Sequence, residues 1–474
     1  MRLNLLKVLS RAEIKRIHEE SLRILWETGV AVFDQDMLGL LSRNGAEVDL
    51  NRKLARFPES LIREALESCP GSYVARDRAG DRAFEVGGDN ICVASGFYAS
   101  YVLKEGRAVP GTVDDVATFA RISDSLHSMD AVGIEVVPQD VPAHVSELHA
   151  CAAMLSNTTK HLFFSPNSRL AAEGLVEIIR AAAGEEDLSE NRTATFQSSP
   201  TSPLAWDCDS VGVLAEASRA GMACNILPEP MAGATSPVTL AAVLLVHNAE
   251  LLSGLAMSQL VRKGTPVIYG YSPTIFDMRK ASPIIASPET IALRVAHAQM
   301  GRFYGLPVHC IAPDSDAQCH DEQMGWEKIT TLFAALSSGA NIVMNCGMFS
   351  TGLMASFEQL LIDDEIVGYL LRALKGIEVN AETLAADIVR KVGPRGHFMN
   401  QMHTLKHARS EYWLPEVSNR ETLKSWLRTG QKDVVEKARD RVQRLLRERK
   451  VPELGAEQRR VIRNIIERYG RMKP

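Results

Sequence analysis

Eight times along this chain a short β-prone apolar run ends in small or polar residues and gives way to a helical stretch. The runs occupy residues 91–95, 131–137, 161–165, 193–197, 222–227, 266–270, 307–312 and 341–346. Each is followed by a segment of helix length and helical apolar spacing, as in 113–126, 145–155 and 238–261. Such alternation predicts parallel strands joined by crossover helices. Eight repeats predict closure into an α/β (β/α)8 TIM barrel, whose active sites lie at the C-terminal strand ends. A search over 474 residues contracts to eight loops, with Ser95, Glu229, Tyr271, Asp314 and Met348 expected around one rim.

The barrel repeat fills residues 90–375, between an N-terminal cap, 1–89, and a helical C-terminal extension, 376–474. In the cap, Ser10 precedes the apolar spacing Ile14, Ile17, Leu22 and Leu25 with Gly29 as a stop, which predicts a helix over 10–27. Two shorter helices are expected over 35–43 and 58–68, and a hairpin over 73–86 turning at Ala79-Gly80-Asp81. A second hairpin, 101–109, interrupts the barrel after its first strand. No low-complexity linker separates the extensions, so both are expected to pack on the barrel.

Composition narrows the function classes. The chain is 46% hydrophobic and 23% charged, ordinary values for a globular enzyme. The longest apolar stretch, Leu240–Val261, carries His247, Asn248 and Glu250, against a bilayer span. The opening residues lack a signal-peptide pattern. Eight cysteines are scattered without a CxxC pair, so reduced thiols and cytoplasmic residence are expected, without membrane association. From residue 420 onward there are 17 Lys and Arg against 8 Asp and Glu, although the whole chain carries −5. Acidic residues interleave with the basic ones and stacking aromatics are scarce, which disfavours nucleic-acid binding.

Three segments carry a family resemblance. They are LRILWETGVAVFDQDMLGLLSRNGAEVD, GHFMNQMHTLKHARSEYWLPEV and the long DEQMGWEKITTLFAALSSGANIVMNCGMFSTGLMASFEQLLIDDEIVGYL. Together, at residues 22–49, 396–417 and 321–370 respectively, they resemble the trimethylamine methyltransferase (MttB) superfamily. The resemblance implies a (β/α)8 barrel that passes a methyl group from a methylated amine to a cobalamin-carrying corrinoid protein. Founding members carry pyrrolysine in the barrel mouth. This chain has standard residues only, so it resembles the non-pyrrolysine branch, which demethylates quaternary amines such as glycine betaine. On this resemblance the chain itself binds no cofactor or metal. Cobalamin resides on the cognate corrinoid protein, and a homo-oligomer is expected.

A permanent cation without N–H donors is best held by aromatic faces and a carboxylate. At the predicted strand ends the aromatics are Phe97, Tyr98, Trp206, Tyr269, Tyr271 and Phe349, with Tyr98 and Tyr271 the first choices. For each ring alone, core packing is the commoner role. The carboxylates are Glu135, Glu229, Asp314, Asp316 and Glu358, of which Glu229 sits between two prolines directly after the fifth strand. Substrate binding is assigned to these aromatics and to Glu229, Asp314, Asp316 and Glu358. No residue is assigned a catalytic acid, base or nucleophile role. Relatives tend to continue the Asp314–Asp316 loop with a lysine, whereas this chain reads SDAQCHDEQ, which bears on substrate identity. His397, His403 and His407 fall in the GHFMNQMHTLKH segment, where one of them could frame the mouth.

Two alternatives remain open at this level. His309, Cys310, Cys319 and His320 raise a zinc-dependent methyl transfer from a methoxy or thiomethyl compound. Against it, adjacent strand residues point to opposite faces, and Cys319-His320 supplies two ligands at most. The other alternative is a non-catalytic betaine-binding barrel. Fold alone does not separate them.

Overall fold

A computed structural model describes residues 5–78, 83–448 and 451–472. Its centre is one closed barrel of eight parallel strands in sequence order. The strands are β1 (Cys92–Ser95), β2 (Ala131–Gly133), β3 (His161–Phe164), β4 (Ala194–Ser198), β5 (Ala223–Ile226), β6 (Val267–Tyr271), β7 (Val308–Ile311) and β8 (Ile342–Cys346). All eight lie within or overlap the apolar runs read from the sequence. The second is shorter than expected because the chain leaves the sheet after Gly133, keeping only a bridge between Val136 and Ala99.

Each strand is followed by its crossover helix: α1 (Val113–Ser125), α2 (Ser146–Asn157), α3 (Arg169–Ala183), α4 (Cys208–Arg219), α5 (Leu240–Val261), α6 (Pro288–Phe303), α7 (Glu322–Ser338) and α8 (Phe357–Leu374). Side-chain caps start most of them. Thr112 closes a capping box with Asp115, and Ser168, Asp207, Ser287, Asp321 and Ser356 each accept a backbone N–H of the first turn. The apolar helix α5 is mostly buried, with the N-terminal helix Arg11–Glu27 and the helix Glu59–Ser68 packed against it.

The barrel's N-terminal end is closed by the hairpin of Ser72–Arg76 and Ala83–Gly87. Its turn at Ala79-Gly80-Asp81 lies outside the described residues. Tyr73, Ala75 and Val86 join Ala94, Ala131, Phe163, Ala223, Ile268 and Ile342 in a core inside the barrel. There the Tyr73 hydroxyl lies 3.3 Å from Thr195 Oγ1, and His161 lies 2.9 Å from the same oxygen.

The other end carries the insertions. The hairpin Tyr101–Lys104 and Arg107–Pro110 pairs with the short strand Met354–Ala355 from the loop after β8. A three-stranded sheet of Met231–Ala232, Thr274–Asp277 and Ser282–Ile284 rises from the loops after β5 and β6. In the C-terminal extension, Val434–Glu448 packs on α8 and Ala456–Gly470 on α3. Several of its basic residues are spent on ion pairs with the barrel, among them Arg439 with Glu358 and Arg468 with Glu177.

Candidate active site

A cavity of about 670 Å³ opens at the C-terminal ends of the strands. Phe97, Tyr98, Glu229, Tyr271 and Asp314 line it, together with Met344 and Met348. Ser95 ends β1 at the same rim, where its hydroxyl accepts the Gly133 N–H at 3.1 Å.

Phe97 and Tyr98 are half-buried and meet edge to face at 4.8 Å between ring centroids. Tyr98 has φ +64°, a left-handed conformation that costs a non-glycine residue free energy and gathers at functional sites. Its hydroxyl accepts the Ser165 N–H at 3.1 Å and faces Glu147, whose carboxyl burial pushes up to about 7. Gly133 makes room for the neighbouring ring, since a Cβ there would lie 2.8 Å from Phe97 Cδ2.

Glu229 leaves the rigid Pro228–Pro230 turn with its side chain open to the cavity. Among the described residues its one side-chain hydrogen bond is a 3.5 Å contact in which Ser199 Oγ donates to Oε1. The surrounding protein pushes its carboxyl up to about 7, with only Ser199 acting to lower it. The other carboxylates on this side are occupied: Asp207 accepts the Ser210 N–H at 2.7 Å and Asp209 the Arg169 N–H at 3.0 Å.

Asp314, just after β7 and two strands round the rim from Glu229, forms a buried ion pair with Arg294. Asn345 Nδ2 donates to the second Asp314 oxygen at 2.6 Å. Burial pushes the Asp314 carboxyl up to about 6, with Arg294 acting against it. The Arg294 guanidinium also donates to the carbonyls of Ile285 and Ile311 and lies 5.4 Å over the Tyr271 ring. Tyr271 is therefore fixed at both ends, its hydroxyl donating to the Thr290 carbonyl at 2.9 Å. It offers the cavity little of the ring face expected of it.

The remaining expected residues lie elsewhere. Trp206 is fully buried, because the loop after β4 is drawn into the N-terminal cap, where Ala205–Trp206 pairs with Val30–Val32. Its indole N–H donates to Ser253 Oγ at 3.0 Å, and Gly254 admits the ring. Tyr269 points outward from β6 and donates to Asn248 Oδ1 of α5 at 2.7 Å. Phe349 is fully buried in a small cluster with Ala317 and Met324. Asp316 accepts the N–H groups of Ile285 and Ala286 and the Thr351 hydroxyl, tying three mouth loops together. Glu358 pairs with Arg439 of the C-terminal extension at 2.9 Å. Glu135 is buried beneath the rim, its carboxyl pushed up by burial to about 8, against Gly96 and Gly347 where a Cβ would not fit.

The zinc-type donors do not converge. His309 faces the barrel interior and Cys310 the helix layer, while Cys319 is exposed with its thiol 3.7 Å from Asp321. His403 lies 3.1 Å from the Glu382 carbonyl within the C-terminal extension, and its ring stacks 4.3 Å from that of His407.

Among the cavity residues missed by sequence reasoning are four polar ones: Gln197, Asn345, Arg294 and, as a cavity group, His309. Three of them are polar residues inside apolar strands, and strand parity would have pointed Gln197 and His309 inward.

Over residues 1–473 the sequence matches the family model described as trimethylamine methyltransferase (MTTB). It is 33% identical over 434 residues to trimethylamine methyltransferase MttB of Desulfitobacterium hafniense (strain DSM 10664 / DCB-2), across 90% of this chain and 87% of that one. It is 32% identical over 423 residues to the glycine betaine methyltransferase of Desulfitobacterium hafniense (strain Y51), across 88% of each. Among solved structures, the Methanosarcina barkeri monomethylamine methyltransferase matches with a TM-score of 0.56 over 98% of this chain and 89% of that one. At 13% identity that likeness carries the fold alone.

Proposed function

The chain belongs to the trimethylamine methyltransferase family and is a methyltransferase, and on that premise we propose that it takes a methyl group from a quaternary amine of the glycine betaine type. The acceptor in this reading is the Co(I) corrinoid of a separate carrier protein. One observation carries it most: the Glu229 carboxylate faces a roomy cavity with no strong partner among the described residues.

A quaternary ammonium suits this site chemically. It has no proton to lose and departs as a neutral tertiary amine. The C–N bond breaks, its electron pair stays on nitrogen, and the methyl carbon bonds to the incoming nucleophile's pair. No general base is needed. The corrinoid supplies the electron-rich cobalt that receives the methyl group. What falls to this chain is binding, desolvation and orientation. Glu229 offsets the fixed positive charge once water is excluded. The Phe97 and Tyr98 rings and the Met344 and Met348 thioethers cover the methyl groups. The Arg294–Asp314–Asn345 network holds the β7–β8 wall in place.

The test is to mix the protein with a Co(I) corrinoid and a series of methylated amines and read corrinoid methylation from its absorption. Glycine betaine is expected to react faster than trimethylamine, whose leaving group is not activated. Reaction with trimethylamine alone, or with neither, would count against the proposal.

A further inference from the structure

Beneath the cavity, the barrel interior holds a chain of hydrogen-bonded polar side chains where branched apolar residues ordinarily pack. Gln197 on β4, Asn225 on β5 and His309 on β7 share the inward face. Gln197 is in register with Asn225, and His309 with Gly270 and Ile342. Gly270 on the intervening strand lets Asn225 reach across, since a Cβ there would lie 2.5 Å from Asn225 Oδ1.

The amide orientations give the chain its direction. Gln197 Nε2 donates to Ser165 Oγ at 3.3 Å, and its oxygen is turned toward Asn225. Asn225 Nδ2 donates to that oxygen at 3.0 Å and to His309 Nδ1 at 3.2 Å. An amide nitrogen only donates, so His309 Nδ1 is an acceptor. Burial keeps the imidazole neutral, at about 3, which places its proton on Nε2. That Nε2–H is buried and has no partner among the described residues. A buried donor without a partner is costly, and native interiors rarely leave one so. Arg294, the one Lys or Arg among the described residues of the cavity wall, donates to the Ile311 carbonyl on the same strand as His309.

We propose that His309 Nε2–H, oriented by Asn225 and Gln197, recognises a carboxylate carried by the quaternary amine, so that the cavity is built for a zwitterion. Glu229 at the β5 rim takes the ammonium end and the β6–β8 side takes the anionic end. His309 is then a specificity-determining residue, and Asn225 and Gln197 are positioning residues that act through its tautomer. The inference rests on the quaternary-amine reading above.

The experiment titrates glycine betaine and tetramethylammonium calorimetrically into the full chain and its His309→Phe and Asn225→Leu variants, with folding checked by thermal melting. Wild type is expected to prefer glycine betaine by on the order of ten- to a hundredfold, the worth of one hydrogen bond to a charged group. His309→Phe should bring that preference close to one. Asn225→Leu, which releases the tautomer, should reduce it by less, and it serves alone if the phenylalanine variant does not fold. Nitrogen-15 NMR of histidine-labelled protein should show an Nε2–H imidazole for His309. A wild-type preference near one, a preference that survives both variants, or an Nδ1–H tautomer would overturn the inference. If wild type binds neither ligand, the quaternary-amine reading itself fails and this inference falls with it.

Discussion

The two ends of this barrel are built on opposite principles. At the N-terminal end the hairpin around Tyr73 plugs the interior, and a shared apolar core runs from Val86 through Phe163 to Ile342. Its polar atoms find one another, as in the His161–Thr195–Tyr73 group. At the C-terminal end the chain tolerates a strained Tyr98, a weakly partnered Glu229 and a His309 N–H unpaired among the described residues. A packed end stabilises a fold, whereas groups left incompletely satisfied are the ones a ligand can complete. Stability and binding should therefore respond to different substitutions.

The largest expected effect tests the packed end. Tyr73→Ala removes a buried ring from the plug and should cost about 3–5 kcal/mol of unfolding free energy, read by urea denaturation. Its glycine betaine affinity, measured below the transition, should match wild type. A large loss of affinity there would break the division between the ends. Glu229→Gln should do the reverse. Its stability is expected to stay within about 0.5 kcal/mol of wild type, while glycine betaine binding weakens at least about tenfold.

The third prediction is a pH dependence. Glu229 sits near 7, above an ordinary glutamate, so below that pH it is increasingly neutral. A cation binds the ionised form better. Affinity for glycine betaine should thus rise as pH increases from 6 to 8, by no more than about tenfold. In Glu229→Gln this dependence should flatten. A profile unchanged by the substitution would assign the titration to another group. The smallest effect belongs to Tyr271→Phe, which loses only the hydrogen bond to Thr290. About 1 kcal/mol of stability is expected, with little change in binding because the ring face is already covered by Arg294.

The contrast between ends also explains what could be read from the sequence. All eight strands were legible because apolar runs and helical spacing are local signals. The site was legible only in part. Glu229 and Phe97 line the cavity because they directly follow strand ends at its rim. Tyr269 was misread because it stands at an outward position of β6, one residue before the inward Gly270. Trp206 and Glu358 were lost to partners far away in sequence, the Val30–Val32 strand and Arg439, which no local pattern reveals. Phe349 belongs to a cluster that forms only when the loops after β7 and β8 meet. Gln197 and Asn225 carried a signal that was overlooked, since amides on the inward face of buried strands need partners.

The central claim is that the open end binds a quaternary amine for methyl transfer, and one assay meets it directly. Wild type and Glu229→Gln are each given glycine betaine and a Co(I) corrinoid under saturating corrinoid, and the rate of corrinoid methylation is followed against betaine concentration. The account predicts methylation by wild type, and a rate at low betaine reduced at least about tenfold in the variant. Methylation that proceeds equally in both proteins, or in neither, would contradict it.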